Sequence, residues 1–213
     1  MLATTLSANP PPAAADADAP RAAASADAGE LVARLARPVP AHTTYTEVRF
    51  VHLLKKPLVL HGELDYGGAG TLGKSVTAPY RETLKVDGEA VTVTRQGNGE
   101  RHFPLDRAPE LKALLAGFSA LLGGDPAALR QHFDVALAQD GAHWTLTLTP
   151  REAGLAKHLR RMRVDGAGNE PACFSLDESN GDASVMRVGA HAAAALPEPA
   201  TRDALEAACR AVR

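Results

Sequence analysis

Apolar and polar residues alternate along two long stretches of the chain, one starting at Thr43 and one resuming at His143. An alternation with a period of two predicts β-strands that have one buried face. The clearest example is HWTLTLTP at 143–150, where a tryptophan and two leucines alternate with threonines. Short glycine-containing turns separate the strands, which is typical of antiparallel pairing. We therefore expect about six strands in the first stretch and about five in the second.

Residues 80–93, YRETLKVDGEAVTV, predict a β-hairpin that turns at Asp87-Gly88. Such a turn places Leu84 opposite Val91, on a face that is mostly apolar. The other face carries only polar or small residues. The pattern predicts a half-buried hairpin whose apolar face looks either at a packed core or at a cavity.

Glu82 shares that mostly apolar face with Tyr80, Leu84 and Val91, and the same turn places it opposite Val93. We expect it at the exposed end of its strand. If it is buried it needs a partner, and Arg95 is the nearest candidate. Together with one of the eight scattered histidines, Glu82 is also the only start of an enzyme site in the sequence.

The period changes to three and four over PELKALLAGFSALLGG at 109–124, which predicts an amphipathic helix. Asp125 is a typical N-cap for a second short helix, in which Leu129 and Phe133 lie one turn apart. Residues 109–134 are therefore expected to form a helical pair.

The two ends of the chain predict one short helix each. A capping box at Asp27–Glu30 begins a helix that should end before Pro38. A final helix at 201–212 follows Thr201, with Leu205, Ala208, Cys209 and Val212 along its buried stripe. Residues 1–28 are rich in Ala, Pro, Asp and Ser and predict a disordered tail. Its start, MLATTLSA, is either the remnant of a signal peptide or a plain extension.

These elements predict one domain over residues 29–213, of the α+β class and mainly β. Few helices are available to cover the sheet, so the sheet must curve strongly on itself. We expect an unclosed antiparallel β-barrel, with residues 109–134 as a helical lid over its opening.

Composition narrows the function classes for this chain of 213 residues. A net charge of −2 and the lack of a basic block make nucleic acid an unlikely partner, and aromatic residues are only 4%. The sequence offers no cofactor motif and no metal-ligand spacing. Gly73-Lys74-Ser75 resembles the end of a phosphate loop but lacks the earlier glycine, so a hairpin turn is expected there. Arg160, Arg161 and Arg163 predict a solvated strand face or, less readily, a docking patch.

Cys173 and Cys209 are the only two cysteines. In an exported protein they favour a disulfide, and in a cytosolic protein two separate buried thiols, so both possibilities stay open. Closing that loop stabilises a fold by about 3–4 kcal/mol on the chain-entropy account.

The chain resembles the LolA-like family of periplasmic lipoprotein carriers. The resemblance rests on PYRETLKVDGEAVTV, FPLDRAPELKALLAGFSALLGGD, HWTLTLTP and ESNGDASVMRV, in the family's order. Thr77-Ala78-Pro79 replaces the Arg-Pro pair of the classical carriers, and Val91 to Val93 replace their aromatics, so the chain is similar to divergent members. The resemblance implies an unclosed barrel whose apolar inner face accepts acyl chains.

The resemblance also implies the periplasm as location, although the export signal is not intact. It implies an acylated lipoprotein or lipid as cargo, an inner-membrane exporter as donor, an outer-membrane acceptor, and no catalysis. A monomer is expected. Candidate residues of the cargo cavity are the apolar residues of the strands: Val48, Phe50, Leu60, Leu64, Leu84, Val91, Val93, Trp144, Leu146, Leu148 and Met162. Candidate lid residues are Leu114, Leu115, Phe118, Leu121 and Leu122. The main alternative is a regulatory or interaction domain that fills the same half-barrel with its own side chains.

Overall fold

The computed structural model describes residues 19–211, with side chains from residue 27 onward. Within this range the strands form one antiparallel sheet in the order β6-β5-β4-β3-β2-β1-β11-β10-β9-β8-β7. The strands are β1 (Ala41–Phe50), β2 (Leu58–Gly68), β3 (Thr71–Ala78), β4 (Glu82–Asp87), β5 (Ala90–Arg95), β6 (Gly99–Pro104), β7 (Phe133–Asp140), β8 (His143–Pro150), β9 (Leu159–Ala167), β10 (Glu170–Glu178) and β11 (Ala183–Val188). Because β6 and β7 do not pair, the barrel is unclosed. The predicted fold class is confirmed.

Five helices accompany the sheet in the described part of the chain: α1 (Ala19–Arg34), α2 (Pro109–Leu122), α3 (Pro126–His132), α4 (Ala153–Ala156) and α5 (Arg202–Arg210). Short 3-10 turns cover Leu105–Arg107 and Gly189–His191. No helix among residues 19–211 is both long and apolar enough to cross a membrane.

The two faces of the sheet carry separate cores. The inner face packs against α1 to α4 and forms the inner cluster, which extends from Tyr45 and Leu60 to Trp144 and Met162. The outer face packs against α5 and forms the outer cluster of Val48, Ala172, Cys173, Val185, Leu205 and Cys209. A third group, the wing cluster, joins Val86, Val91 and Leu105 to partly buried residues of β3 to β6 and α2.

The first helix begins earlier than predicted. It starts at Ala19, not at the Asp27 capping box, so residues 19–28 are helical and only 1–18 of the expected tail lie outside the described residues. The alanines of this segment favour a helix, and Pro20 suits its first turn. The stripe of Leu31, Val32 and Leu35 is buried on the inner face, as its spacing indicated.

The other helices also show corrections at their ends. Phe133 and Asp134 belong to strand β7, which sequence analysis missed, and not to the predicted second helix. Phe133 is fully buried, so its apolar character reflects a strand entering the core. In α5, Thr201 caps the helix by accepting a hydrogen bond from the amide of Ala204. Ala208 is exposed, because the buried side of the helix is formed by Leu205, Glu206 and Cys209. Val212 lies outside the described residues.

The predicted hairpin forms, but its register differs by two residues. Asp87 pairs with Ala90, so the turn residues are Gly88 and Glu89, and Glu82 lies opposite Arg95. Gly88 has a φ of +57°, in the left-handed region that favours glycine. A shift of two residues leaves every side chain on its predicted face, since side chains alternate with a period of two.

Cys173 of β10 and Cys209 of α5 form a disulfide in the outer cluster, 36 residues apart in sequence. The bridge fixes α5 covalently to the middle of the sheet. A closed loop of this length contributes about 3–4 kcal/mol on the chain-entropy account.

Ion pairs add to this attachment of α5. Arg202 bonds both to Asp177 of β10 and, with its Nε 2.7 Å from Oε1, to Glu206 one turn later. Arg163 of β9 pairs with the same Glu206 carboxylate, and Arg161 pairs with Asp177. The arginines of β9 are therefore engaged with buried carboxylates beneath α5, and the expected solvated strand face is wrong for Arg163.

This network predicts an acid-sensitive contribution to stability. Burial alone would raise the pKa of the Glu206 carboxyl, but hydrogen bonds and charges from Arg163 and Arg202 outweigh it and lower that pKa. A carboxyl with a lowered folded pKa stabilises the fold above its unfolded pKa, and the contribution disappears as pH falls through the folded value. Glu206→Gln should lower the free energy of unfolding by about 1–3 kcal/mol at neutral pH. Denaturant titrations should show this difference shrinking below about pH 4, and a difference independent of pH would contradict the network.

Candidate functional site

The inner face of the sheet collects most of the residues predicted to line a cargo cavity. Leu60 of β2, Trp144, Leu146 and Leu148 of β8 and Met162 of β9 all belong to the inner cluster. None of them is more than 3% exposed. Leu64 of β2 packs against the same cluster and is half-buried. These residues come together because antiparallel register aligns the apolar positions of neighbouring strands on one face.

Leu84, Val91 and Val93 form the continuation of this apolar surface towards the β6 edge. Val91 is fully buried in the wing cluster, and the other two pack partly buried against it. The same cluster receives Leu111 and Leu115 from the first half of α2. The hairpin of β4 and β5 thus places its apolar face under α2.

Val48 and Phe50 lie on the opposite face, which corrects their assignment to the cavity. Val48 is in the outer cluster, and Phe50 packs against it near α5. The period-two pattern predicts that only one face of β1 is buried, and it makes the side with Val48 and Phe50 the inner side. β1 lies at the centre of the sheet between β2 and β11, and both of its faces are covered.

Helix α2 covers the inner face with the predicted lid residues. Leu114, Phe118 and Leu121 contact the inner cluster, while Leu115 contacts the wing cluster and Leu122 is half-buried. The ring of Phe118 lies 5.8 Å from that of Phe174 on β10, centroid to centroid. Helix side chains therefore fill the space above the strands.

Gly117 allows the closest approach between α2 and the sheet. A Cβ atom built on Gly117 would lie 2.3 Å from Cε2 of the fully buried Phe133. The absence of a side chain at this position lets the helix backbone rest directly on the aromatic ring. The contact between Gly117 and Phe133 depends on shape and involves no hydrogen bond or ion pair.

Two pockets stand out on the described surface, and neither is the deep apolar cavity expected from the sequence. One, of about 110 Å³, lies where β4, β5 and β6 end and is lined by Glu82, Val93, Arg95, Asn98, Gly99 and Arg101. The other, of about 260 Å³, lies behind the loop between β1 and β2. Side chains of α1 to α4 occupy the inner face, so the predicted wall residues are covered in this structure.

A polar group that sequence analysis missed is buried on the inner face of β1. Glu47 is 4% exposed and accepts a hydrogen bond of 2.6 Å from the Nζ of Lys74 on β3. The Lys74 ammonium also lies 5.0 Å from the centre of the Tyr45 ring. Burial, and then the charge of Glu47, raise the pKa of the Tyr45 phenol. Its hydroxyl has no hydrogen-bond partner within residues 27–211.

One sequence signal pointed to this arrangement. Gly62 of β2 lies opposite Tyr45, and a Cβ at Gly62 would come within 2.8 Å of the Tyr45 ring. A glycine inside a strand marks a close approach of this kind. The burial of Glu47 itself had no local signal, because it depends on which face of β1 is inner.

Glu82 is partly exposed and lies at the rim, as expected. Its Oε2 is 3.3 Å from Nε of Arg95, directly across the strand pair. The Arg95 guanidinium in turn lies 4.7 Å from the centre of the Tyr80 ring. Gly73-Lys74-Ser75, in contrast to the expected turn, lie inside strand β3.

Comparison with known proteins places the sequence in a family. The model of a family described as outer membrane lipoprotein carrier protein LolA-like matches residues 19–212. None of the curated proteins compared with the sequence matches it.

Solved structures show remote likenesses. A LolA superfamily protein from Nitrosomonas europaea is 11% identical, with 84% of this chain and 98% of that chain covered and a TM-score of 0.43. A putative outer membrane lipoprotein-sorting protein domain from Vibrio parahaemolyticus is 7% identical, with 87% and 99% covered and a TM-score of 0.43. MucB in its complex with MucA from Pseudomonas aeruginosa is 17% identical, with 84% and 62% covered and a TM-score of 0.38.

The contact at Gly117 gives a prediction about how α2 is held. Gly117→Ala should lower the free energy of unfolding by about 1–3 kcal/mol, because the added methyl group meets the buried Phe133 ring. This loss opposes the gain in helix propensity of about 1 kcal/mol. Gly154→Ala in α4 is the matched control, since nothing lies within 4 Å of its Cβ position. Urea titration should rank Gly154→Ala at or above the wild type, and a Gly117→Ala protein as stable as that control would refute the close contact.

Proposed function

Because the chain belongs to the LolA-like family of outer membrane lipoprotein carrier proteins, we propose that it binds acyl chains on the inner face of its sheet and carries them through the periplasm. The cargo is an acylated lipoprotein or a lipid on its way to the outer membrane. Family membership supports the general class, a lipid- or lipoprotein-binding protein of the cell envelope, and a role without catalysis.

The observation that carries the proposal is the way in which the inner face is covered. The inner and wing clusters form an apolar surface across both halves of the sheet, and the same helix, α2, contributes side chains to both. Leucine and phenylalanine side chains of α2 occupy the positions that acyl chains would take. Each methylene transferred from water to such a surface contributes about 0.8 kcal/mol, so the burial of a long acyl chain can offset the apolar contacts that α2 loses when it leaves.

Few polar contacts hold α2 in place. At its first turn Lys112 forms an exposed ion pair with Glu89, and near its end the Tyr66 hydroxyl lies 3.5 Å from the Ser119 carbonyl oxygen. Exposed ion pairs contribute little to stability. The C-terminal end of α2 is held by the backbone, where the amide of Arg37 donates to the carbonyl of Leu122 at 2.8 Å and Gly124 packs against Ala36, just after α1. We propose that α2 leaves the inner face when cargo enters and returns when cargo leaves.

An inner-membrane exporter is the proposed donor of cargo, and a receptor at the outer membrane is the proposed acceptor. A carrier between them must bind its cargo loosely enough to release it. An inner face of leucine, valine and methionine suits this, because apolar contacts are non-directional and α2 competes for the same surface. A monomer is proposed, since a single chain supplies both the wall and the lid.

The alternative is a regulatory or interaction domain that keeps its core permanently filled. The close packing favours it: Leu146, Leu148 and Met162 are fully buried under the present arrangement. In that case α2 is a fixed part of the core, and the inner face binds nothing.

A variant with weaker contacts between α2 and the sheet distinguishes the carrier function from a permanently filled domain. Phe118→Ala removes an α2 contact with the sheet, so the open state becomes more populated and the apparent affinity for acyl chains rises by about tenfold. Titration with a fluorescent fatty acid should show binding to the wild type and tighter binding to the variant. Leu205→Ala is the control, because it removes a buried side chain of the outer cluster and leaves the lid contacts intact.

Two results would contradict the carrier function. One is the absence of fatty-acid binding by both the wild type and Phe118→Ala. The other is an equal rise in affinity for Leu205→Ala, which would indicate general loosening of the fold in place of lid release.

A further inference from the structure

The loop between β1 and β2, residues 51–57 with the sequence VHLLKKP, carries the most exposed apolar side chains of the described chain. Only three large hydrophobic residues among those described are exposed: Val39 at 57%, Leu53 at 81% and Leu54 at 49%. Two of them are neighbours at the tip of this loop. Adjacent exposed leucines form a small apolar patch, and an apolar patch bordered by polar residues is typical of an interaction site.

The same loop is basic. Lys55 and Lys56 follow the leucines directly, are exposed and form no ion pair with a described residue. Arg81 and Lys157 lie in other connections at the same end of the sheet and are also without an ion pair within residues 27–211. Of the acids in these connections, Glu152 is paired with His132, and Asp182 is paired with His52.

Hydrogen bonds join the loop to the turn between β10 and β11. The Asp182 carboxylate, in the turn between β10 and β11, accepts hydrogen bonds from the His52 backbone amide at 2.9 Å and contacts the His52 ring at 2.6 Å. The amide of Leu54 donates to the carbonyl of Val51. The hydrogen bond from the His52 amide, followed by that from its ring, lowers the pKa of Asp182 and keeps the carboxylate ionised. Leu53 and Leu54 therefore lie on a turn that these hydrogen bonds stabilise.

We propose that this loop docks on the surface of an anionic phospholipid bilayer. Leu53 and Leu54 enter the boundary between headgroups and acyl chains, and Lys55 and Lys56 lie against the lipid phosphates. Apolar side chains flanked by cations are the combination that binds such a surface. Leu53, the most exposed leucine, lies at the protruding tip and does not line the 260 Å³ groove behind the loop. A side chain in this position suits insertion into a bilayer better than contact with a peptide bound in the groove.

Docking would orient the molecule on the membrane. The end of the sheet that carries the loop also carries the Glu82–Arg95 pocket, because β1, β3 and β5 all end there. This inference does not depend on the proposed carriage of acyl chains.

Flotation of the full-length protein with lipid vesicles tests the proposal. The wild type should float with vesicles of phosphatidylcholine and phosphatidylglycerol mixed at about 3:1, and much less with phosphatidylcholine alone. Leu53→Asp combined with Leu54→Asp should weaken binding to the anionic vesicles at least about tenfold, because the apolar insertion is lost. Lys55→Glu combined with Lys56→Glu should abolish the preference for the anionic lipid.

Val39→Asp is the matched control, because Val39 is an exposed apolar residue before β1, at the other end of that strand. It should bind vesicles as the wild type does. Failure of the wild type to float, or flotation unchanged by the leucine substitutions, would overturn the proposal and leave the loop as a site for a protein partner. Binding of a soluble fatty acid should be the same in all of these variants, so failure of docking is distinguishable from failure of acyl-chain binding.

Discussion

The packing of α2 on the inner face is the contact on which the rest of the structure depends. An unclosed sheet with an apolar inner face has no second sheet to cover it, so helices must do so. α2 reaches from the wing cluster to the inner cluster and approaches the sheet most closely at Gly117, over Phe133. The energy of this contact comes from apolar burial and shape. The helix is consequently attached by interactions that an apolar ligand can replace in kind.

The two faces of the sheet are covered in different ways. On the outer face, α5 is fixed by the Cys173–Cys209 disulfide and by arginines that share the buried carboxylates of Asp177 and Glu206. An apolar ligand cannot replace these covalent and ionic attachments. The outer face thus provides the permanent scaffold. The proposed carriage of apolar cargo would use this difference between a fixed cover on one face and an apolar cover on the other.

Much of this fold could be predicted from the sequence, because periodicity is a local signal. The alternation in β8 and the apolar stripe of α2 led to the right elements and to an unclosed barrel. What failed depends on neighbours far away in sequence. The inner side of β1 could not be identified, because its position between β2 and β11 buries both faces. Val48 was therefore assigned to the cavity, and Glu47 was missed. Phe133 suits a helix and a buried strand equally well in the sequence, and its pairing with Pro150 of β8, distant in sequence, decides between them.

Hydrogen exchange of α2 in the presence of a soluble fatty acid tests the central claim most directly. If α2 and acyl chains compete for the inner face, the amides of residues 109–122 should exchange faster when the fatty acid is bound. The amides of β8, below the same surface, should stay protected. Unchanged protection of α2 at saturating fatty acid would contradict the account, and the half-barrel would then be a core that its own side chains fill permanently.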